Sequence, residues 1–418
     1  MPKADASPWL PFVPVRIRRM PKSFDPLLRR GAPPPGDPGF PLVGVNSLAM
    51  SDSGVGTALD RTATMAEVGE RGLLRHLRSR IPVGPGVLVG VGDDAAAVET
   101  GALTLVTTDV LVEGVHFRRE WGPANLIGRK ALTVNLSDIA AMAGIPRFAV
   151  VSLCLPPDTT VAFVDSLYDG LLERSAETGV SVVGGNVSST PGPLTIDVTL
   201  LGQGDRLLRR EGAKAGDLVV VTGMLGGAAA GLKFLLTGTR LGAEGILSQA
   251  GTWAGASPDS LLSCLRAQLD PTPPLAFGRA LAEHDIVHAA MDLSDGLSGD
   301  LLTLCHASDV SAWVDGSALP VDPGAAQLEK EGGSDAFSVA LHGGEDYQLL
   351  LAVPPDALDR LKDVAVVWDL PVTAVGEFAA GPPALSMKFG DRMKRLRPKS
   401  HEHFKDPGSR RSDPSAEA

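Results

Sequence analysis

The sequence predicts an α/β protein, and three observations predict it. Short apolar runs alternate with segments of helical periodicity along most of the chain. Glycine is abundant (48 residues) and aromatic residues are scarce (5%), as expected of a fold built on tight strand-to-helix turns. A length of 418 residues with 44% hydrophobic content suffices for two domains with buried cores.

Residues 1–64 stand apart. They hold the Pro-rich run Ala32-Pro33-Pro34-Pro35-Gly36, scattered basic residues and no sustained periodicity. They read as a disordered extension, or as sequence upstream of a later start at Met50 or Met65. Ordered sequence begins near Glu67, with Val68, Leu73, Leu74 and Leu77 at helical spacing over 67–80. Strands follow at 87–91 and 103–107, then a helix over 124–143 with Ile127, Ala131 and Val134 on its apolar face. The pattern continues as strand 148–155, helix 161–178, and strands 181–183 and 194–202. A second unit opens at Ala213-Lys214-Ala215-Gly216-Asp217, with strand 218–222 and an Ala-rich helix through Leu236. Helices are expected over 259–268 and 274–283, another from the Met291–Gly296 segment through Cys305, and a strand over 348–353. The resulting division is 1–64 extension, 65–205 first domain, 206–397 second domain and 398–418 tail.

Composition excludes several classes. A net charge of −11 argues against a nucleic-acid protein, which needs a basic stripe. No run approaches the roughly 18 apolar residues that span a membrane. Cys154, Cys264 and Cys305 are far apart without paired spacing, as free thiols in a reducing cytoplasm would be.

Four acidic, glycine-rich segments carry the chemistry: Gly92-Asp93-Asp94-Ala95, Thr107-Thr108-Asp109, Met291-Asp292-Leu293-Ser294-Asp295-Gly296 and Gly343-Gly344-Glu345-Asp346-Tyr347. Most adjoin apolar strand-like runs, which places them near the open end of a sheet. Two unit charges about 4 Å apart repel by roughly 4 kcal/mol at an effective dielectric near 20. Such a cluster persists only if cations bind there or if the carboxylates never meet, and hard oxygen donors that leave positions open to phosphate suit magnesium. Asp94, Asp109, Asp138, Asp292 and Asp295 are the candidate ligands, with Thr107 and Thr108 as further oxygen donors. If a helix begins at Asp292, a spacing of three puts Asp292 and Asp295 on one face. No G-x-x-x-x-G-K-[ST] loop and no protein-kinase signature occurs, so ATP would be gripped through metal and carboxylate.

These residues resemble the thiamine-monophosphate kinase family. The similarity runs colinearly over about 67–405 through Val89 to Asp94, Thr107 to Phe117, Gly128-Arg129-Lys130-Ala131-Leu132, Asn135 to Met142, Asp292 to Gly296 and Gly343 to Tyr347. The wider superfamily includes aminoimidazole-ribonucleotide synthetase, selenophosphate synthetase and a hydrogenase maturation factor. Val115-His116-Phe117 together with the Gly343 to Tyr347 run indicates the thiamine branch. The resemblance implies a synthetase-like two-domain fold: an N-terminal mixed sheet with helices that dimerises, and a C-terminal α/β domain. It further implies ATP-dependent phosphorylation of thiamine monophosphate to thiamine diphosphate in a cytoplasmic homodimer. By the same resemblance Asp94, Thr107, Thr108, Asp109, Asp138, Asp292 and Asp295 match magnesium positions. Gly185, position 186, Arg210 and Ser294 match ATP contacts, position 186 also a metal contact, and His116 and Glu345 match acceptor contacts. Asp109, Asp295 and Arg210 are the expected catalytic residues.

Two departures stand out. Position 186 is Asn where the family has Asp, one negative charge fewer for an ion. Near the C-terminus, His401-Glu402-His403-Phe404 replaces an aromatic residue followed by Asp-His-Phe. The alternatives are another ATP-dependent enzyme of the superfamily and a non-catalytic nucleotide-binding regulator.

Overall fold

In the computed structural model, residues 60–89, 97–98, 100, 103–242, 245–249, 257–330 and 335–399 are described. The readings made for 1–59, Asp94 and the His401 to Phe404 run lie outside them.

The first half contains α1 (Met65–Arg80), β1 (Val87–Val89), β2 (Ala97–Val98), β3 (Thr104–Val112), α2 (Ala124–Ala141), β4 (Ile145–Leu155), α3 (Val161–Thr178), β5 (Ser181–Ser189) and β6 (Thr195–Gln203). Four strands form one mixed sheet in the order β3-β6-β4-β5, antiparallel except for the β4–β5 pair. Strand β6 alternates between buried and half-buried residues, the period-2 mark of a sheet with one covered face. That face packs Val151, Leu153, Ile196, Val198 and Leu200 against Leu132, Leu136, Val164, Leu167 and Leu171 of α2 and α3. Each fully buried leucine contributes on the order of 1.5–3 kcal/mol. Local signals fix the helix ends. Thr160 caps α3 by accepting the Phe163 N–H at 3.2 Å, and Gly179 closes it at φ +73°.

The second half contains β7 (Leu218–Thr222), α4 (Gly227–Leu236), β8 (Arg240–Leu241), β9 (Leu247–Gln249), α5 (Pro258–Leu269), α6 (Leu275–His284), β10 (Ala289–Asp292) and α7 (Leu297–Ser308). It continues with β11 (Ser311–Asp315), α8 (Pro323–Lys330), α9 (Ala336–His342), β12 (Leu349–Val353), α10 (Leu358–Val366), β13 (Val372–Ala379), β14 (Leu385–Phe389) and β15 (Arg392–Leu396). A seven-stranded sheet runs β10-β12-β7-β13-β11-β14-β15. Its central strands are buried on both faces, and their alternation assigns the layers. Val219, Val221, Leu350 and Ala352 pack with Leu297, Leu301 and Leu304 of α7. Val220, Leu349, Leu351 and Val353 pack on the other side with Phe277 and Leu281 of α6 and Leu361 of α10.

Helix α2 is the beam on which both halves rest, and glycines let its neighbours reach its backbone. A Cβ on Gly128 would stand 1.8 Å from the Leu167 carbonyl oxygen of α3. One on Gly170 of α3 would stand 1.8 Å from the Asn125 oxygen, and one on Gly278 of α6 would stand 2.3 Å from the Ala140 oxygen. Ala140 and Ala141 accordingly join the core that α6 shares with the larger sheet.

Three local expectations are corrected. Strand β3 continues past Thr107 to Val112, so Thr107, Thr108 and Asp109 lie inside a strand instead of at its end. The apolar run Val110-Leu111-Val112 keeps the alternation going. Strand β5 likewise runs through Gly184 and Gly185 to Ser189. Helix α7 begins at Leu297, after Gly296 at φ +109°, so Asp292 ends β10 and the helical-spacing argument for Asp292 and Asp295 fails. A glycine in that conformation stops the helix from starting earlier.

Candidate active site

Period-2 geometry divides the residues of β3. Thr107 and Asp109 face α2, while Thr108 faces the opposite side of the sheet. On the α2 side, the Thr107 hydroxyl donates to Asp138 Oδ2. Asp138 sits one residue after Ser137, whose hydroxyl donates to Asp292 Oδ2 at 2.9 Å. Asp109 and Asp138 from the first half thus meet Asp292 from the second. Burial first, and then Asp138 and Asp197, push the Asp109 carboxyl up to about 6. Burial and the charges of Asp138 and Asp109 push Asp292 up to about 7, with the Ser137 bond and Arg210 opposing. Asp138 is also raised by burial, against the pull of Thr107 and Arg210.

Arg210 lies in the β6–β7 connection, and its charge reaches Asp138 and Asp292. Its neighbour Arg209 pairs instead with Glu211. Ser308, the last residue of α7, fixes this loop: its hydroxyl donates to the Arg210 carbonyl at 3.0 Å and accepts the N–H groups of Gly212 and Ala213 at 3.1 Å. At the start of the same helix, buried Asp300 accepts the N–H groups of Asp295 and Gly296 at 3.2 and 3.1 Å. Burial and the charges of Asp292 and Asp295 drive Asp300 up to about 8. The Asp295 side chain itself is exposed.

The Gly343 to Tyr347 segment is zipped to the Asp292 to Asp295 segment. Glu345 N–H donates to the Ser294 carbonyl at 2.8 Å, and Tyr347 N–H to the Leu293 carbonyl at 2.9 Å. Glu345 and Tyr347 take φ of +67° and +48°, left-handed conformations costly for non-glycine residues. Tyr347 then inserts into the core of the first half. Its phenol is raised well above the usual range by burial and by Glu345, Asp109, Asp292 and Asp138. Asp346 turns the other way and caps α4 by accepting the Gly226 and Ala228 N–H groups at 2.8 and 3.3 Å.

The remaining predicted residues lie apart from this cluster. On the outer face of the small sheet, Thr108 donates to Asp197 Oδ1 at 2.9 Å, and the register sets Asn186, Ser152 and Asp197 in one row across β5, β4 and β6. Gly185, beside Asn186, has no room for a side chain, since a Cβ would stand 1.9 Å from the Val151 oxygen. His116 sits in the loop after β3, where the Val112 N–H donates to Nδ1 at 3.0 Å and so places the ring proton on Nε2.

The donor set is hard oxygen throughout, and burial raises the pKa values of Asp109, Asp138 and Asp292, with neighbouring carboxylates adding to the rise at Asp109 and Asp292. A divalent cation relieves that deficit of positive charge. Among the described residues, no three His, Cys, Asp or Glu side chains converge to enclose an ion on their own. This suits magnesium, which takes one or two carboxylates and completes its shell with phosphate oxygens and water. Sequence reasoning gave no role to Ser137, Asp300, Ser308, Lys130 or Gln268, which touch the predicted residues; Lys130 and Ser137 fall within runs that carry the resemblance but were assigned no chemistry.

Two family models match the chain: AIR synthase related protein, N-terminal domain, over 92–203, and AIR synthase related protein, C-terminal domain, over 214–387. A thiamine-monophosphate kinase of Rhodopirellula baltica is 33% identical over 317 residues, 74% of this chain and 89% of that one. The solved thiamine-monophosphate kinase of Stenotrophomonas maltophilia is 34% identical, with a TM-score of 0.65 over 76% of this chain and 95% of that one. AaThiL, solved in complex with AMPPCP and TMP, is 32% identical, with a TM-score of 0.62 over 82% of this chain and all (100%) of that one. With both domain models matched in order and relatives of this identity covering most of its length, the chain belongs to the AIR synthase related family and, within it, to the thiamine-monophosphate kinases.

Proposed function

We propose that this chain transfers the γ-phosphoryl group of ATP directly and in line to thiamine monophosphate, giving thiamine diphosphate and ADP. The observation that carries the reading is the meeting of Asp109, Asp138 and Asp292 beside Arg210, in a chain whose relatives are thiamine-monophosphate kinases. Asp109, Asp138, Asp292 and Asp295, with Thr107, are the residues that would hold magnesium on the inner face. Asp94, Thr108 and Asn186 are assigned to further ions. Bound magnesium would neutralise phosphate charge and align the reacting groups.

The protein's own residues supply position and field. Arg210 is exposed and near enough for its charge to reach the same carboxylates, and in this reading it offers positive charge where negative charge develops in transfer. Ser294 and Gly185 with Asn186 contact ATP in this reading, while His116 and Glu345 bind the acceptor. A phosphate monoester has its second pKa near 6, so at about pH 7 the acceptor is already largely ionised. No side chain needs to remove a proton.

In this reading the first domain pairs with its twin in a homodimer. Residues 65–205 form the ATP, metal and dimerisation domain in this reading, and 206–397 the second domain. Three free cysteines suit a cytoplasmic setting. No helix among the described residues is long and apolar enough to cross a membrane.

The deciding assay separates ADP and thiamine diphosphate after incubation with thiamine monophosphate and magnesium–ATP. Free thiamine and aminoimidazole precursors serve as parallel acceptors. Thiamine diphosphate formed only from the monophosphate, and only with magnesium, supports the reading. Nucleotide binding without product moves the protein to the regulator class.

The raised carboxylates make a second test. Their folded values of about 6 for Asp109 and about 7 for Asp292 exceed the ordinary 3.8, so between those values the folded state holds more protons than the unfolded one. Stability in EDTA is then highest near the bottom of this window and falls as pH rises through it. Magnesium binds the ionised form, so the Tm increase it gives is larger at about pH 8 than at about pH 5. An equal increase at both pH values counts against ligation by these carboxylates.

A further inference from the structure

Lys130 stands in the middle of α2 with its side chain 3% exposed, an unusual place for an ammonium group. Its Nζ lies 2.8 Å from Glu345 Oε1 and makes no directed hydrogen bond to any other described group, so the contact is ionic. The other carboxylate oxygen, Glu345 Oε2, accepts from Gln268 Nε2. Gln268 is 1% exposed, near the end of α5. The carboxylate of Glu345 is therefore held at both oxygens by buried groups from two separate helices, while its backbone is pinned to Ser294 in a left-handed conformation. Packing alone does not call for this arrangement. An apolar side chain in place of a buried ion pair is often neutral or stabilising, whereas an unpartnered buried charge is costly.

We propose that Lys130 and Gln268 are positioning residues for acceptor recognition. Together they hold the Glu345 carboxylate in one rotamer, so that it meets the organic part of the acceptor already oriented. The proposal rests on the reading of Glu345 as an acceptor-binding residue. Preorganisation of this kind lowers the ordering cost of binding. It acts on the acceptor and leaves the nucleotide end alone, because Lys130 and Gln268 contact Glu345 and not the Asp109–Asp138–Asp292 cluster. A plain staple between α2, α5 and the Glu345 loop would instead lower stability and affect both substrates alike.

The full-length enzyme is compared with Lys130→Met, Lys130→Arg, Gln268→Leu, Glu345→Gln and the Lys130→Met/Glu345→Gln double variant. The readouts are KM for thiamine monophosphate, KM for magnesium–ATP, kcat and Tm. A hydrogen bond to a charged group is worth about 1.5–3 kcal/mol, so losing Glu345 or its orientation should raise the acceptor KM about 10-fold or more. The KM for ATP should stay within about 2-fold in every variant. Lys130→Arg should recover part of the loss, and the double variant should be no worse than the worse single one, because both changes act on one carboxylate. If Glu345→Gln raises the acceptor KM while Lys130→Met and Gln268→Leu do not, the clamp is refuted and the reading of Glu345 survives. An acceptor KM untouched by Glu345→Gln refutes that reading, and the clamp with it. Equal increases in both KM values for the Lys130 and Gln268 variants reduce the pair to a staple. Should Lys130→Met fail to fold, Gln268→Leu, which leaves no charge unpaired, still decides the question.

Discussion

Asp109→Asn and Asp295→Asn are each expected to lower kcat for thiamine monophosphate phosphorylation by about three orders of magnitude, or about 4 kcal/mol of transition-state stabilisation. Both substitutions keep size and remove charge. The two sites differ in a way that separates chemistry from folding. Asp295 is exposed, and its hydrogen bond to Asp300 is made through its backbone N–H, so its Asn variant should melt with the parent protein. Asp109 is half-buried among like charges, with its carboxyl raised to about 6 by burial, Asp138 and Asp197. Neutralising it removes repulsion, so in EDTA the Asn variant should melt at or above the parent temperature while its turnover collapses. Opposite movements of Tm and kcat at one position are hard to obtain from a structural defect. Turnover near that of the parent in both variants would remove these residues from the reaction.

Gly128→Ala is expected to have the largest effect on stability. Ala is the better helix former by about 1 kcal/mol, so helix propensity alone predicts a gain. The crossing with α3 predicts the reverse. The new Cβ would stand 1.8 Å from the Leu167 carbonyl oxygen and 3.0 Å from the Leu171 nitrogen, both main-chain atoms that cannot rotate away. Overpacking costs about 1–3 kcal/mol where side chains can yield, and more where they cannot. We expect a loss of about 3 kcal/mol or more, read as a drop in Tm of roughly 6–12 °C. Gly170→Ala strikes the same crossing from the other helix, against the Asn125 oxygen, so the double variant should lose less than the sum of the singles. A Tm within a degree of the parent for Gly128→Ala would show that the helices separate at little cost.

The difference between what the sequence disclosed and what it concealed follows from chemistry. Asp109, Asp138 and Asp292 stood out as candidates because repeated carboxylates after strand-like runs go beyond what capping and turns require, whereas Glu345 was assigned a role only through the family resemblance. Helices α3 and α4 and strand β7 were legible to the residue or nearly so, because Gly179, Gly226 and the apolar run 218–222 punctuate them. The start of α7 was misjudged because spacing of three suggested a helix, whereas the backbone of Gly296 decides where one begins. Lys130 and Gln268 were invisible as partners of Glu345. A lysine following an arginine in a helix reads as solvated, and nothing local reveals that a loop far along the chain folds over it. The division of Thr107 and Thr108 between two faces was implicit in strand alternation. It became readable only once β3 was known to run through them.

Lys130 and Ser137 lie seven residues apart on α2, one holding Glu345 and the other holding Asp292. Seven residues make about two turns and about 10.5 Å of rise, so a single rigid ruler measures the gap between the loop assigned to the acceptor and the loop assigned to magnesium and ATP. A one-residue insertion between these marks would swing one of them about 100° off line while leaving every motif residue in place. Sequence comparison would still recognise such a chain, yet its two acidic loops would no longer be in gauge. The length of the segment between the two grips is therefore expected to matter for activity in this chain as the carboxylates do, and a one-residue insertion assayed for turnover checks it.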